Sequence, residues 1–442
     1  MQLLARTKKN MCLAKETLYS SFKHLFNNFY SYLPCLAFFF ITASFWQLGI
    51  LSILDKGSSL SDSGLLMGHF MLISGLLVIP LSILSDQFSK RLMVLSGFAS
   101  ISLAGLLRIW SVEWGSDLSF FLLGAGIGCL GAPLKIFTKC LVQKYSKTKV
   151  QDSDIYLTIE VCNRLMILVS SFTSWRMLKY DSDLPWLFWS GLSIGISILL
   201  LSNSGMNESQ KISGKDAEIN GGKFISSLFN PQVSILNICT IFLGIEMGIR
   251  SVILNPYIKD ILNQGDLSSL QLQGVVQASA GFFGTFFFKF LSNRFFNDFQ
   301  SSQKSKELLY TVFIVVAMLI YAGLNFTTSI THSYSVFLFF SGLAIVSMGW
   351  FFPLRDSLMG LYSNKKNETF LLGSMFSVQY ISAAITLYFL KLIRIELGEI
   401  RIYWKYGSAM LVVASTILIC IPLLSASDMF QSKTGSSPSS MG

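Results

Sequence analysis

The residues of this chain that can do chemistry are few, and most lie in apolar surroundings. Glu160 and Arg164 stand four positions apart, and Glu246 and Arg250 repeat that spacing. On a helix such a pair shares one face, where acid and base either neutralise each other or present charge to a ligand. Lys135, Lys139, Arg355 and the adjacent Asp356 are also flanked by long apolar runs. Burying charge there is costly, which makes these positions functional candidates by default. Glu160, Glu246, Asp356 and His69 can change charge, as a proton carrier must. His69 reads first as a hydrogen-bonded packing residue and only second as a proton carrier.

Other strings look like chemistry but lack the context for it. Gly126-Ile127-Gly128-Cys129-Leu130-Gly131 fits a dinucleotide-binding pattern. That pattern needs a strand before it and a helix after it, and here it falls within one apolar helix, where glycines serve close packing. Gly191-Leu192-Ser193-Ile194-Gly195 fits a nucleophile elbow, again inside an apolar helix and with no partner histidine or acid nearby. The three histidines are far apart and the seven cysteines form no CxxC pair. No phosphate-binding GxxxxGK[ST] loop occurs, so the chain is not expected to hydrolyse ATP. No catalytic set, cofactor, metal or disulfide is expected.

These candidates are positioned by elements of an unusual kind. Hydrophobic residues make up 52% of the 442 and charged residues only 13%, against about 25% charged in soluble domains. A soluble fold this poor in charge would expose large apolar patches. A bilayer removes the difficulty, because a helix of about 20 apolar residues satisfies its own backbone in lipid. The pattern predicts an all-α membrane protein with twelve transmembrane helices, near 33–54, 64–84, 92–112, 118–141, 155–178 and 184–203, then 232–256, 269–293, 307–328, 334–361, 369–391 and 402–425. The eighth opens in polar sequence, and Gly274 is an alternative start. The expected organisation is a basic N-terminal segment (1–32), a first six-helix bundle (33–203), a cytoplasmic linker (204–231), a second bundle (232–425) and a disordered Ser-rich tail (426–442). Loop cations concentrate on one side, including Lys8, Lys9, Lys90, Arg91, Lys147, Lys149, Lys211 and Lys215. By the positive-inside rule both termini are cytoplasmic. The formal charge of +10 is thus assigned to a membrane surface and not to nucleic acid. Arg108 is expected to snorkel outward, and Trp110, Trp114, Trp186, Trp189 and Trp404 to anchor at the interface. Of three glycosylation sequons, only Asn325 would face outward.

The two sets of six echo each other. Leu84-Ser85-Asp86-Gln87-Phe88 follows the second apolar segment and Leu291-Ser292-Asn293-Arg294-Phe295 the eighth; Pro133-Leu134-Lys135 recurs as Pro353-Leu354-Arg355. After helix 2 the chain reads Ser82-Ile83-Leu84-Ser85-Asp86-Gln87-Phe88-Ser89-Lys90-Arg91. This resembles the signature of the major facilitator superfamily, Gly-x-Leu-x-Asp-Arg-x-Gly-Arg-Arg, matching at Leu84, Asp86, Lys90 and Arg91. Serines replace the glycines, and Gln87 the first basic residue. The resemblance implies two pseudo-symmetric six-helix bundles with a substrate site between them, and a gating role for Leu84, Asp86, Lys90, Arg91, Asn293 and Arg294. An acid at a helix end can pair with bases or with the dipole of a neighbouring helix.

The superfamily plan also places helices 1, 4, 7 and 10 around a central cavity. Lys135, Lys139, Arg250 and Arg355 against Glu246 and Asp356 would make that cavity electropositive, and Trp46, Gln47 and Trp350 could face it. From 241 to 296 the chain resembles the organophosphate:phosphate antiporters, with Arg250, Asn255-Pro256-Tyr257-Ile258 and a Gly-rich helix 8. Their helix 1 arginine has no counterpart around Phe45-Trp46-Gln47. The resulting expectation is a monomeric secondary transporter of a small organic anion, working by alternating access in a plasma or bacterial inner membrane. Phosphate or a proton is its expected counter- or co-substrate. A carrier of a neutral solute (sugar, nucleoside, peptide or drug) and a non-transporting sensor of the same fold are the alternatives.

Overall fold

The structure, a computed structural model, describes residues 25, 27–54, 60–87, 89–110, 115–145, 152–181, 183–202, 226–262, 264, 267–299, 303–363, 367–393 and 400–421. The expected linker at 204–231 falls largely outside these residues, and the tail at 426–442 entirely so. The described residues form twelve long helices: α1 (Phe29–Leu54), α2 (Leu60–Gln87), α3 (Lys90–Ile109), α4 (Gly115–Tyr145), α5 (Asp152–Tyr180), α6 (Leu184–Ser202), α7 (Pro231–Pro256), α8 (Leu267–Phe299), α9 (Gln303–Ile330), α10 (Tyr334–Tyr362), α11 (Glu368–Ile393) and α12 (Ile400–Leu418). A π turn, Tyr257–Ile261, prolongs α7. Ten of the twelve are long and apolar enough to cross a membrane. Helix α8 starts at Leu267, ahead of the alternative start at Gly274, so Gln273 lies well inside it.

Helices this apolar have no reason to hide every face. Leu103 on α3, Ile198 on α6, Val312 and Leu319 on α9 and Phe389 on α11 are exposed. Apolar surface on this scale is stable against lipid and not against water.

The packing repeats. In the first half α3 packs on α4, α2 on α4, α1 on α5, α3 on α6 and α1 on α6; in the second, α9 packs on α10, α8 on α10, α7 on α11, α9 on α12 and α7 on α12. Each pairing recurs six helices later. The contacts between halves obey the same rule: α2 with α11 is matched by α5 with α8, and α4 with α11 by α5 with α10. The two six-helix sets are thus related by pseudo-two-fold symmetry.

Small residues set how closely these helices meet. A Cβ on Gly124 would stand 2.7 Å from the Phe70 carbonyl oxygen of α2, and one on Gly126 2.8 Å from that of Gly97 on α3. Gly126 and Gly128 of the glycine-rich string are therefore packing positions, whereas a Cβ on Gly131 would meet nothing within 4 Å. Gly191 and Gly195 meet nothing within 4 Å.

Several placements differ from expectation. Trp186, Trp189 and Trp404 are buried, and only Trp110 of the described anchors is exposed. Position along a helix tells depth, not direction, and these rings turn inward. Trp186 and Trp189 pack on Phe45, and Trp404 on Tyr257. Arg108 is buried, not snorkelled, with its guanidinium 5.7 Å from the centre of the Trp186 ring. Asn325 is 1% exposed and donates to Glu246, so it is a packing amide and not an outward-facing acceptor.

Candidate functional site

Between the halves lies a cavity of about 450 Å³, walled by α1, α2, α4 and α5 of the first half and α7, α8, α9, α10 and α11 of the second. It is within the size range of sites for small organic ligands. Apolar and aromatic groups dominate, with Phe38, Phe39, Trp46, Phe352 and Phe376 in the wall. Of the predicted site residues, Trp46, Lys135, Glu160, Glu246, Arg250 and Arg355 line it. Trp350 does not; its ring lies 6.3 Å from that of Phe287 on α8. The side chains of Gln47, Asn293 and Arg294 lie outside the described residues.

The charges at this cavity form three clusters. In the first, Lys135 of α4 donates to Asp356 Oδ2 of α10 at 2.5 Å, bridging the halves. Arg355 donates to Asp356 Oδ1 at 3.1 Å and to Gln379 of α11 at 3.1 Å. Both cations also lie over aromatic rings: Lys135 Nζ is 5.0 Å from the Phe376 centroid and Arg355 5.2 Å from that of Phe352, a favourable arrangement for a desolvated cation. In the second cluster Arg164 pairs with Glu160 at 2.8 Å, one turn apart on α5. In the third, the Tyr321 hydroxyl of α9 accepts from Arg250 and donates to Glu246 at 3.0 Å, while Asn325 donates to the same carboxylate oxygen at 3.3 Å. Glu246 and Arg250 are therefore joined through a phenol.

The expected excess of cations at the cavity narrows to one, Lys135, Arg164, Arg250 and Arg355 against Glu160, Glu246 and Asp356. Lys135, Arg164, Arg250 and Arg355 each have a protein acceptor, and Lys139 serves elsewhere. A buried cation that already holds its acceptor does not call for an anionic ligand. His69 also lies away from the cavity. It is stacked 5.5 Å from Phe121 of α4, and the tilted ring of Tyr388 of α11 lies 5.7 Å away, where α2 meets both helices.

The ends of the cavity are closed by different chemistry. At the end where α1 begins and α12 finishes, the contacts between halves are polar. Asp86, on the last turn of α2, accepts the backbone N–H of Phe370 at 3.1 Å and so caps the start of α11. This is the helix-end partnership the signature implied. Lys139 of α4 donates to both carboxylate oxygens of Glu368 at 2.7 and 2.9 Å, and the Tyr156 hydroxyl donates to Glu368 at 2.9 Å. Arg91 donates to the carbonyls of Leu200 and Leu201, tying α3 to the end of α6 within one half. Leu84 is partly exposed, and Lys90 opens α3. At the other end, Leu48 of α1 packs in an apolar cluster with Ile249, Ile253 and Leu390 of the second half.

Sequence reasoning missed Glu368, Tyr321, Gln379, Gln273 and Gln277. Only the last pair carried a readable signal, a four-residue spacing, and an uncertain helix start obscured it.

No protein-family model matches the chain, and no curated protein matches it. Solved structures do. The E. coli fucose:proton symporter FucP aligns with a TM-score of 0.59 at 16% identity, over 88% of this chain and 98% of that one. FucP in the outward conformation, described as a major facilitator superfamily transporter, aligns with a TM-score of 0.58 at 15% identity, over 88% and 98%. The nucleoside transporter NupG aligns with a TM-score of 0.64 at 12% identity, over 89% and 99%. Identities this low establish a shared architecture, the major facilitator fold; the ten helices long and apolar enough to cross a membrane make the chain an integral multi-pass membrane protein.

Proposed function

We propose that this chain is a secondary transporter that moves a small neutral organic solute by alternating access about the cavity between its halves. The observation that carries the reading is that both halves wall the cavity while its cations are already held by protein acceptors. Fucose and nucleosides, named in the descriptions of the structural neighbours, are neutral solutes. None of these three neighbours is described as a phosphate exchanger, so the organophosphate antiporter reading is set aside.

The mechanism follows from which contacts cross the halves. Asp86 with α11, Lys139 with Glu368 and Lys135 with Asp356 all join first-half to second-half helices at or below the cavity. All must part if that end is to open. Leu48 and its partners must part for the other end to open. A solute held by both halves favours the states in which they approach each other, and this differential contact is what drives the change. Glu160 and Glu246 line the cavity and are the candidate proton carriers. Asp356 is committed to two cations.

The test is uptake into proteoliposomes of purified full-length protein, with and without an inward proton gradient. Saturable uptake or counterflow of a hexose or nucleoside is expected, and hexose phosphates should not compete. Glu246→Gln should lose acceleration by the gradient while keeping exchange. Transport of phosphate esters alone would overturn the reading; ligand-induced structural change with no flux or exchange would favour the sensor.

A further inference from the structure

We propose that Gln273 and Gln277 of α8 are the substrate-reading edge of the cavity, and that they take neighbouring hydroxyls of a neutral, polyhydroxylated ring. The inference rests on the transport reading above and adds the residues that select the solute and the feature of it that they read.

The argument is one of unassigned donors. Among the described residues of the wall, Gln379 already accepts from Arg355, and its nitrogen faces the Met247 sulfur at 3.5 Å. Asn163 donates to Glu160 at 3.3 Å. The hydroxyls of Thr42 and Ser251 donate to carbonyls of their own helices. Gln273 and Gln277 line the cavity too, yet the Nε2 of each is buried without a hydrogen-bond partner. Gln273 is 7% exposed. Buried polar groups are normally satisfied, and two orphans facing one cavity need a reason. Their four-residue spacing sets them on one face of α8, so both amides can reach adjacent atoms of one small molecule.

The chemistry of the orphans selects the ligand. They are neutral amides, whereas the cations nearby are held by carboxylates or by a phenol. Each of those cations already has a protein partner, and a neutral ligand leaves those pairs intact. An amide offers both an N–H donor and a carbonyl acceptor, and a hydroxyl matches both roles. Two such amides side by side fit two hydroxyls side by side. The aromatic wall opposite in character, with Phe38, Phe39, Trp46 and Phe376, suits the apolar C–H face of the same ring. A free sugar and the ribose of a nucleoside both carry this diol.

The experiment measures binding to the full-length protein in nanodiscs by calorimetry. The probes are a hexose and its monodeoxy series, uridine with its 2′- and 3′-deoxy forms, and a hexose 6-phosphate. One of the two parent diols should bind, which identifies the source. Loss of one hydroxyl should weaken binding roughly tenfold or more. Gln273→Leu and Gln277→Leu should weaken the parent by a similar factor and leave the matching deoxy compound unchanged. Gln277→Met, neutral and of similar length, carries the same expectation if a leucine variant fails to fold. Parent and deoxy compounds weakened equally, or neither weakened, would overturn the inference, as would a panel in which no neutral diol binds. If counterflow of a neutral solute persists unaltered in both leucine variants, the inference falls and the carrier reading stands. If only the hexose phosphate binds, both fall.

Discussion

Asp356 is the residue on which the charged part of the site depends, because one carboxylate holds Lys135 through one oxygen and Arg355 through the other. Removing one partner of a buried pair costs about 3–5 kcal/mol, since the survivor is left uncompensated. The two sides of this pair are not equivalent. Asp356→Asn strands two cations, whereas Lys135→Met leaves Asp356 with Arg355. The expected outcome is a larger fall in the thermal unfolding midpoint of the detergent-solubilised protein for Asp356→Asn. Equal falls would mean that Arg355 is held chiefly by Gln379 and the aromatic rings. Tyr321→Phe should act similarly in the third cluster. It removes an acceptor from Arg250 and a donor from Glu246, at about 1.5–3 kcal/mol for each bond to a charged group. At this scale the sequence was informative about which residues are special and silent about their partners. Asp86 could be read from its motif, and Glu160 with Arg164 from their spacing. The partner of Lys139 lies 229 positions away, where no local pattern points. The excess of cations was overestimated for that reason: cations were countable, but the geometry that pairs them was not.

The helices move, in this account, against one another at two kinds of contact. Where α2 meets α11, a Cβ on Gly75 would stand 2.7 Å from the Ile381 side chain and 3.0 Å from the Ser377 carbonyl oxygen, and Ser377 donates to the Gly75 carbonyl at 2.7 Å. Where α5 meets α8, a Cβ on Gly281 would stand 2.8 Å from Arg164 Cδ. These are the symmetry-related seams between halves, and each is held close by a glycine. Gly75→Leu should wedge the first seam apart and cut transport at least about tenfold while the protein still reaches the membrane, since overpacking a tight contact costs about 1–3 kcal/mol. Normal turnover in that variant would place the sliding surface elsewhere. The Asp86 cap makes a graded prediction. Asp86→Asn keeps an acceptor for the Phe370 N–H, whereas Asp86→Ala removes it, at about 1 kcal/mol for a lost helix cap. Labelling of an engineered cysteine at that end of the cavity should therefore rise more in the alanine variant. Helix existence was legible throughout from apolar length. Direction was not: Trp186 and Trp189 sit near a helix end yet face the core, and Gln273 could have been taken for loop.

For the whole molecule, the six-helix repeat was readable as two short echoes, and the structure extends it to every major helix pairing. The ends differ in kind, polar where α2, α4 and α11 meet and apolar around Leu48. The loop cations predict that the polar end faces the cytoplasm, so reporters fused at Lys9, Lys215 and Ser439 should all register inside; an external signal at any of them would overturn this orientation. The central claim is that the two halves rock about the cavity. It is tested most directly by distances between spin labels on both ends of the protein in nanodiscs, with and without saturating solute. One pair replaces Tyr145 at the end of α4 and Leu308 near the start of α9; the other replaces Trp110 after α3 and Ile330 at the end of α9, all four exposed. The account predicts opposite changes, one distance lengthening as the other shortens. Distances that stay fixed at both ends while solute crosses the membrane would contradict it.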